Sequence, residues 1–451
     1  MSNPTYLIVG ATLPTGERAD LLVQDARLTH VGRDASGESS SDAIRIDADG
    51  LVALPGLVDL HTHLREPGFE QSETVLSGTR AAAAGGFTSV FPMANTLPVS
   101  DTAGVVEQVM TLGDDAGYAT VRPIGAVTVG LAGERLSEIG AMAHSKARVR
   151  VFSDDGKCVH DSLLMRRALE YVKTFDGVVA QHAQDPRLTE NAQMNEGALS
   201  SELGLKGWPA VAEESVIARD VLLAEHVGAR LHVCHVSTAG SVEVIRWAKS
   251  RGIVVTAEAT PHHLLLTEDL ARSYDARYKV NPPLRRDEDV RALREGLADG
   301  TIDIIATDHA PHPRESKESE WDAASFGMVG LESALSVAQT ALVDTGLLTW
   351  NDIARVLSRT PAEIGRLADH SHSFEPGSPA NFALHDPSTS TTFELDRLAG
   401  KSDNSPFLGR TLSGRVEHTF HHGYPTVSAG RVLASDTVAA SAARWKAGIT
   451  S

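Results

Sequence analysis

The stretch PGLVDLHTHLREPG, residues 55–68, closes an apolar run with two histidines one residue apart and then an arginine. Side chains at positions i and i+2 of a β-strand point to the same side of the strand. His61 and His63 can therefore bind one metal ion together, with Thr62 turned away, and Arg65 points the same way. Taken alone, the pair is explained equally well by two polar residues leaving a strand.

The chain beyond this stretch alternates between helical and strand-like patterns. Apolar runs such as FTSVFPM, GVVAQH, RLHVCHV and IDIIATD each follow a helical pattern. Several predicted helices end in glycine, as C-terminal caps often do: Gly85, Gly228, Gly252 and Gly300. This alternation indicates parallel βα units. Continued over roughly 300 residues, it favours a (β/α)8 barrel over a single Rossmann unit.

Both ends of the chain have a different sequence pattern, without the alternation of helices and strands. Residues 4–54, and the chain after about residue 372, consist of short strand-like runs with Gly and Asp turns between them. Because chain termini often lie close together, the two ends are predicted to pair into one small β-sandwich. The predicted domains are a sandwich of residues 1–55 plus 366–451 and a catalytic barrel of residues 56–365.

The composition is that of an acidic globular protein. The 451 residues are 42% hydrophobic and 22% charged, with a formal net charge of −18, which disfavours nucleic acid as a partner. Two cysteines, Cys158 and Cys234, are too few for a disulfide framework and fit a reducing compartment. The N-terminus lacks the pattern of a signal peptide, and no apolar run reaches the length of a membrane span. We therefore expect a cytoplasmic enzyme that binds neither nucleic acid nor membrane.

The predicted barrel strands end, one after another, in an imidazole or a carboxylate. These residues are His61 and His63, Asp154 and Asp155, His182, His235 and Asp308. The carboxyl ends of barrel strands form the mouth at which active sites lie, so these side chains are predicted to converge. A mixture of imidazoles and carboxylates favours a divalent metal, and zinc fits that set best. Singly, His182 or His235 would more often be an ordinary buried histidine.

Other histidines lack this context. His262 and His263, in TPHH, could orient a metal ligand from behind, although a structural role is the favoured interpretation. Four more are interpreted as structural or exposed: His144, His160, His226 and His232.

Two longer segments, DLHTHLREPG and ATDHAPHPRESK, resemble the two signature segments of dihydroorotases, within the amidohydrolase superfamily. The segments SDDG, QHAQD, HVSTAGS, TPHHLLLT and VNPPLR also match that family in order, so the resemblance covers most of the chain. The sequence most resembles the long bacterial form, class I. The resemblance implies an α/β fold with a distorted (β/α)8 TIM-type barrel, a composite β-sandwich, and one or two zinc ions per subunit. It also implies the reversible interconversion of N-carbamoyl-L-aspartate and L-dihydroorotate in pyrimidine biosynthesis, by an enzyme that is commonly a homodimer.

The same resemblance implies two groups of metal ligands. They are His61, His63 and Asp308 for the first metal, and His182 and His235 for the second. Family members with DDG bridge the two metals with an aspartate, where relatives use a carboxylated lysine. By position the bridge is Asp155, with Asp154 and a carboxylated Lys157 as the alternatives.

The resemblance also implies the contacts to the substrate. A guanidinium is a natural clamp for a carboxylate, and Arg65 takes that role with Asn95 in MANTLP and Asn281 in VNPPLR. Without the family, both asparagines are better explained as turn residues. The implied substrate contacts are His63, Arg65, Asn95, Asn281, His312, Phe326 and Gly327. The polar loop 311–327 is predicted to act as a lid.

Asp308 is the implied catalytic residue. Zinc acidifies bound water and polarises a carbonyl. Asp308 would carry the proton to the leaving nitrogen, or take it from the carbamoyl nitrogen in the biosynthetic direction.

Two alternatives to a dihydroorotase stay open. One is another cyclic-amide hydrolase on the same scaffold, such as an allantoinase or a dihydropyrimidinase, although those enzymes typically lack the set of Arg65, Asn95 and Asn281. The other is a non-catalytic homologue that serves as a scaffold for aspartate transcarbamoylase. An active enzyme in complex with that same partner is also compatible with the sequence.

Overall fold

The computed structural model describes residues 4–37, 42–370 and 373–449. The strands are β1 (Tyr6–Thr12), β2 (Arg18–Gln24), β3 (Arg27–Gly32), β4 (Ile44–Asp47), β5 (Val52–Pro55), β6 (Leu57–Thr62), β7 (Phe87–Pro92), β8 (Thr120–Val121), β9 (Val151–Phe152), β10 (Val178–Gln181), β11 (Met194–Asn195), β12 (Gly207–Trp208), β13 (Leu231–Val233), β14 (Val255–Ala259), β15 (Ile304–Ile305), β16 (Phe382–Thr392), β17 (Thr411–His421), β18 (Tyr424–Ser428) and β19 (Arg431–Val432).

The helices are α1 (Val75–Ala84), α2 (Ala103–Ala116), α3 (Ile139–His144), α4 (Ser162–Lys173), α5 (Ala198–Leu203), α6 (Val211–Val227), α7 (Ala239–Ser250), α8 (Pro261–Leu265), α9 (Asp287–Asp299), α10 (Arg314–Lys317), α11 (Ala334–Ala338), α12 (Trp350–Ala354), α13 (Thr360–Ile364) and α14 (Ser435–Ile449). Two π-helical segments, Gln339–Val343 and Arg355–Arg359, continue α11 and α12. None of the described helices is both long and apolar enough to cross a membrane.

A closed ring of parallel strands forms the centre of the molecule. β6, β7 and β8 pair in one sheet, and β9, β10, β13, β14 and β15 pair in a second one. Isolated parallel bridges join the two sheets, between Gly125 and Phe152 and between Thr62 and His309. The predicted (β/α)8 barrel is confirmed. It is distorted, since β8, β9 and β15 have two residues each.

The barrel helices form where the sequence combines an N-terminal cap with one apolar face. α4 begins after Asp161, whose carboxylate accepts a hydrogen bond from Leu164 N at 2.8 Å. Its buried side chains recur with helical spacing: Met165, Ala168, Leu169 and Val172. α6 ends at Gly228, which adopts the left-handed conformation with φ 65°. Each large apolar side chain buried in this way contributes about 1.5–3 kcal/mol.

Strands from both chain ends form one nine-stranded sheet, in the order β19-β18-β17-β16-β5-β1-β2-β3, with β4 paired to β1. The two ends meet in the antiparallel pair β16–β5, where Phe382 lies opposite Pro55. Leu28 N donates to Ser378 O at 2.9 Å, so β3 also meets the segment before β16. The sheet folds over a core in which Phe382 stacks on Phe420 at 4.6 Å. The composite β-sandwich is confirmed, and the chosen domain bounds stay a prediction.

The last helix, α14, differs from the sequence prediction, which placed strands alone in the C-terminal region. The run DTVAASAARWKAG is rich in alanine, the strongest helix former. α14 packs against α2 and β18, and Val438 is buried beside Tyr118. α14 therefore covers the flank of the barrel instead of extending the sheet.

Candidate active site

The predicted site residues surround a cavity of about 280 Å³ at the carboxyl ends of the barrel strands. The candidate metal ligands come from different strand ends: His61 and His63 from β6, Asp155 after β9, His182 after β10, His235 after β13 and Asp308 after β15. All the predicted ligands and substrate contacts line this cavity except His61, which is fully buried.

Asp155 lies at the centre of the histidine cluster. Its Oδ1 is 3.4 Å from His61 Nε2, 3.2 Å from His182 Nδ1 and 3.4 Å from His235 Nε2. Its Oδ2 is 3.4 Å from His63 Nε2. Burial by itself would raise the pKa of the Asp155 carboxyl, but the surrounding imidazoles hold that pKa well below its ordinary value. Asp155 is therefore an anion shared by four imidazole rings.

Asp308 contacts the first histidine pair. Its Oδ1 is 3.1 Å from His63 Nε2 and 3.4 Å from His61 Nε2. Burial would raise the pKa of the Asp308 carboxyl, but the charge of His61 and the hydrogen bond from His63 lower it to about 2. Asp308 has a left-handed backbone with φ 46°, as have His235 (φ 31°) and Arg65 (φ 61°). Such backbone strain clusters at functional sites, because the surrounding fold must hold it in place.

The cluster fits a metal ion. His61 Nε2 is buried and has no hydrogen-bond partner among the described residues. Donor atoms of His61, His63 and Asp155 lie within 4.8 Å of one another, and so do those of Asp155, His182 and His235. Imidazole nitrogens and carboxylate oxygens are ligands that zinc takes in catalytic sites. Asp155 belongs to both groups, as a bridging carboxylate would.

The two other candidates for the bridging position lie elsewhere. Asp154 accepts hydrogen bonds from Val127 N at 2.8 Å, from Thr128 N at 2.9 Å and from the Thr128 hydroxyl. It thus anchors the segment after β8 to the end of β9. Lys157 is exposed and does not line the cavity. The geometry favours Asp155 as the bridging residue.

Two buried residues support His61: Glu258 contacts it directly, and His232 contacts Glu258. No ligand pattern in the sequence predicts either of them. His61 Nδ1 lies 2.5 Å from Glu258 Oε1, and Glu258 Oε2 lies 2.9 Å from His232 Nε2. Burial would raise the pKa of the Glu258 carboxyl, but the charge of His61 holds it far below its ordinary value. An ionised Glu258 keeps the proton on His61 Nδ1 and leaves Nε2 for a metal. The available signal was an acidic residue inside the apolar strand IVVTAEA.

Asp59 ties β6 to β15 beside the site. It accepts hydrogen bonds from Thr307 N at 2.8 Å, from Thr307 Oγ1 at 2.5 Å and from His61 N at 3.3 Å. Burial raises the pKa of the Asp59 carboxyl to about 7. These bonds set the spacing between the two strand ends that carry His61 and Asp308.

Arg65 and loop 311–327 meet on the substrate side of the cavity. Arg65 Nε donates to Pro311 O at 3.1 Å, and its Nη2 lies 3.4 Å from His312 Nε2. Burial lowers the pKa of the guanidinium to about 10, so Arg65 stays charged at neutral pH. His312 Nε2 donates to Phe326 O at 2.7 Å, which joins the two ends of the loop.

The two predicted asparagines also face the cavity. Asn95 Oδ1 lies 3.0 Å from His63 Nδ1. Asn281 Nδ2 donates to Gln184 Oε1 at 3.1 Å, while Asn281 Oδ1 is buried without a partner in the described part of the chain. Gln184, which lies in the segment QHAQD but has no role predicted from the sequence, also accepts from His182 Nε2 at 2.6 Å. It therefore connects a candidate ligand to a candidate substrate contact.

The neighbouring pair His262 and His263 packs behind the site. His263 Nδ1 lies 2.8 Å from Thr260 Oγ1, and its Nε2 lies 3.1 Å from Pro282 O. Burial lowers the pKa of both imidazoles, to about 4 for His262. These contacts suit the structural role that the sequence favours for His263, whereas His262 Nε2 is buried without a hydrogen-bond partner among the described residues.

Known proteins are similar in sequence to this chain over nearly its whole length. Residues 50–241 match the family model described as Dihydro-orotase-like. The dihydroorotase of Leifsonia xyli is 73% identical over 435 residues, which cover 96% of this chain and 99% of that protein. The dihydroorotase of Streptomyces coelicolor is 63% identical, over 94% of this chain and 99% of its own length. That of Mycobacterium tuberculosis is 51% identical, over 93% and 97%.

The chain belongs to the dihydroorotase family. The resemblance predicted from DLHTHLREPG and ATDHAPHPRESK is confirmed.

Solved structures of much lower sequence identity share the fold of this chain. The L-hydantoinase (dihydropyrimidinase) of Arthrobacter aurescens has a TM-score of 0.84 and 24% identity, over 96% of this chain and 98% of that one. The dihydropyrimidinase of Brevibacillus agri has a TM-score of 0.81 and 22% identity, over 95% and 96%. At such identity these structures support the barrel and sandwich alone, and the dihydroorotase assignment rests on the nearer relatives.

Proposed function

We propose that this protein is a zinc-dependent cyclic amidohydrolase that interconverts N-carbamoyl-L-aspartate and L-dihydroorotate in pyrimidine biosynthesis. The observation that carries the proposal is one cavity lined by both a metal-type cluster and a charged arginine with two asparagines. The relatives named dihydroorotase, 51–73% identical to this chain, support the same activity.

The proposed metal ligands form two groups around Asp155. His61, His63 and Asp308 would hold a first zinc ion, and His182 and His235 a second, with Asp155 between them. A bound zinc ion lowers the pKa of water and polarises a carbonyl, which is the chemistry that hydrolysis of a cyclic amide needs.

Asp308 is the proposed proton carrier. Asp308 is an anion at neutral pH, so its carboxylate has a free position at which to accept a proton from the attacking water. In hydrolysis Asp308 then passes that proton to the ring nitrogen as the amide bond breaks. In the biosynthetic direction it takes the proton from the carbamoyl nitrogen, and microscopic reversibility requires the same group for both steps.

The remaining residues are proposed to recognise the substrate. Arg65 supplies a charged clamp for the substrate carboxylate, and Asn95 and Asn281 supply neutral donors beside it. His312 and the backbone of Phe326 and Gly327 would contact the ring from the opposite loop. A neutral cyclic amide offers no carboxylate to this set, so the clamp favours dihydroorotate over allantoin or dihydrouracil.

We further propose that the enzyme is cytoplasmic and homodimeric, as the family resemblance implies. A complex with aspartate transcarbamoylase is an additional assembly that the sequence leaves open. Size-exclusion chromatography with light scattering tests the dimer, and co-elution with purified aspartate transcarbamoylase tests the complex.

Turnover of L-dihydroorotate by the purified protein tests the central proposal. The assay is run before chelation, after chelation and after return of zinc, beside allantoin and dihydrouracil. Zinc-dependent turnover of dihydroorotate alone is the expected result. Preferred turnover of a neutral cyclic amide would assign the protein to another hydrolase activity, and metal-bound protein without turnover would favour the scaffold alternative.

A further inference from the structure

Four of the proposed substrate contacts come from two stretches of chain: Asn281, His312, Phe326 and Gly327. The first follows the 3₁₀ turn at 276–278, and the other three belong to loop 311–327. Both stretches meet at Lys317, the last residue of α10. Lys317 does not line the cavity, so any effect on the substrate must act through these stretches.

Within the described part of the chain, Lys317 Nζ hydrogen-bonds to backbone carbonyls alone. Its Nζ donates to Ser325 O at 2.8 Å, to Gly327 O at 2.9 Å and to Lys279 O at 3.1 Å. Gly327 N donates in turn to Lys279 O at 3.0 Å. One side chain therefore joins the two arms of the loop to the segment that leads into Asn281.

This environment is an unusual one for lysine. The side chain is buried at 7% exposure, and no carboxylate among the described residues lies within ion-pair distance of it, although the charge of Asp275 acts on it from farther away. Lysine is almost never buried without a paired charge. An apolar side chain would fill the same space without the cost of burying a charge, so the three hydrogen bonds are what the lysine adds.

A second buried lysine supports the same loop. Lys279 is 1% exposed, and its Nζ donates to Trp321 O at 2.5 Å and to Asp322 O at 3.2 Å. The same Nζ lies 4.4 Å from the centre of the Phe326 ring, within cation–π distance. The Phe326 side chain is thereby held while its carbonyl accepts the hydrogen bond from His312.

We propose that Lys317 is a positioning residue for substrate recognition, which holds the backbone of loop 311–327 and the segment before Asn281 in the arrangement that binds the substrate. The inference rests on the proposed function and deepens it. Lys317 touches none of the candidate metal ligands, so its loss is expected to weaken substrate binding and to spare the chemical step.

Steady-state kinetics of the full-length, zinc-loaded enzyme test this role. Lys317→Met keeps the apolar stem without a donor and is expected to raise KM for L-dihydroorotate by about tenfold or more, while kcat changes less than about threefold. Lys317→Gln keeps two donors on a shorter stem, and its KM should lie between those of the wild type and Lys317→Met.

Lys249→Met is the matched control. Lys249 donates to Gly300 O at 2.9 Å and pairs with Asp303 at 2.7 Å, at the end of the barrel away from the cavity. Its loss also removes a set of lysine hydrogen bonds, which are here only partly buried, but KM is expected to stay at the wild-type value.

Hydrogen exchange gives a readout that does not depend on turnover. Amides of segments 311–327 and 279–284 are expected to be protected in the free wild-type enzyme and to exchange about tenfold faster in Lys317→Met, with the barrel strands unchanged. If Lys317→Met fails to fold, the wild-type enzyme is still informative. Unprotected amide hydrogen exchange in its loop 311–327 would overturn the proposal.

Two kinetic results would also overturn it: a KM for Lys317→Met equal to that of Lys249→Met, or a fall in kcat at constant KM. Absence of dihydroorotate turnover in the wild type would contradict the proposed function instead. The two failures are distinguishable, because one is a difference between variants and the other is seen in the wild type by itself.

Discussion

His61 Nδ1 lies 2.5 Å from Glu258 Oε1, and both side chains are fully buried. Glu258 Oε1 also accepts a hydrogen bond from His235 N at 3.1 Å. One carboxylate therefore touches two candidate metal ligands without being a lining residue of the cavity. Since the carboxylate decides which nitrogen of His61 carries the proton, it also decides which nitrogen can bind a metal.

Glu258→Gln is expected to weaken zinc binding by about 10–100-fold, because a neutral amide no longer fixes the His61 proton on Nδ1. Zinc affinity is measured by competition with a chromophoric chelator, and turnover is measured separately. Glu332→Gln is the control, since Glu332 is a buried carboxylate that accepts only from Ala399 N and Gly400 N in the described chain. Equal zinc affinities for both variants would contradict the role of Glu258.

Asp308→Asn is expected to lower kcat by about 10²–10⁴-fold, because an amide cannot accept and return the proton. Circular dichroism should show a melting profile close to that of the wild type. Zinc content is measured in the same samples, to separate loss of the proton carrier from loss of a ligand. Near-normal turnover with zinc bound would exclude Asp308 as the proton carrier.

Arg65→Ala is expected to raise KM for L-dihydroorotate by about 10–100-fold, the range for removing a charge-assisted hydrogen bond. The kcat should fall less, because Arg65 binds the substrate away from the reacting bond. Initial rates over a range of substrate concentrations separate the two constants. An unchanged KM would remove Arg65 from the carboxylate clamp.

The two adjacent aspartates are expected to respond differently to the same change. Asp154→Asn should lower the free energy of unfolding by about 1–3 kcal/mol, because its contacts to Val127 and Thr128 lose charge-assisted bonds, and zinc content should stay normal. Asp155→Asn should instead lower zinc content, because the shared carboxylate is lost. Denaturant unfolding and elemental analysis of both variants provide the comparison. Normal zinc content in Asp155→Asn would return Asp154 as the candidate bridge.

Stability is expected to depend on pH through Lys317. Burial lowers the pKa of this lysine from 10.5 to about 7, so between these values the unfolded chain binds a proton that the folded chain does not. The free energy of unfolding should therefore rise with pH from about 7, by at most ~1.4 kcal/mol per pH unit from this one group. Denaturant titrations across that range should show a smaller slope for Lys317→Met. Lys279, whose pKa burial lowers to about 8, acts in the same direction, and its charge also lowers the pKa of Lys317, so the difference in slope reports Lys317 together with its coupling to Lys279. Identical slopes would contradict a buried, titrating Lys317.

The strands and helices that carry the site were predictable because their patterns are local. The run GVVAQH forms β10 with His182 at its end, and the apolar face of α4 lies where its helical spacing predicts. α14 was harder to predict. Its alanine content favours a helix, but the segment lacks a strong apolar face, and packing on α2 stabilises the helix in the folded chain.

By itself, the sequence determined the type of fold and the set of side chains at the cavity mouth. Strand period and the polarity of a parallel barrel are enough to bring His61, His63 and Asp308 to one end. Only the tertiary structure adds an observation that favours Asp155 over Asp154 as the bridge, because both follow β9 and the fold brings the donors of Val127 and Thr128 to Asp154.

The roles of the supporting residues Glu258 and Lys317 could not be predicted from the sequence for a related reason. His61 and Glu258 are 197 positions apart, and Lys317 acts on carbonyls 38 positions before it and 10 after it. A buried polar side chain is chosen to match partners that the fold brings to it, and no local periodicity records those partners. The chemistry of this site is therefore visible in the sequence, while the positioning of its parts belongs to the folded chain.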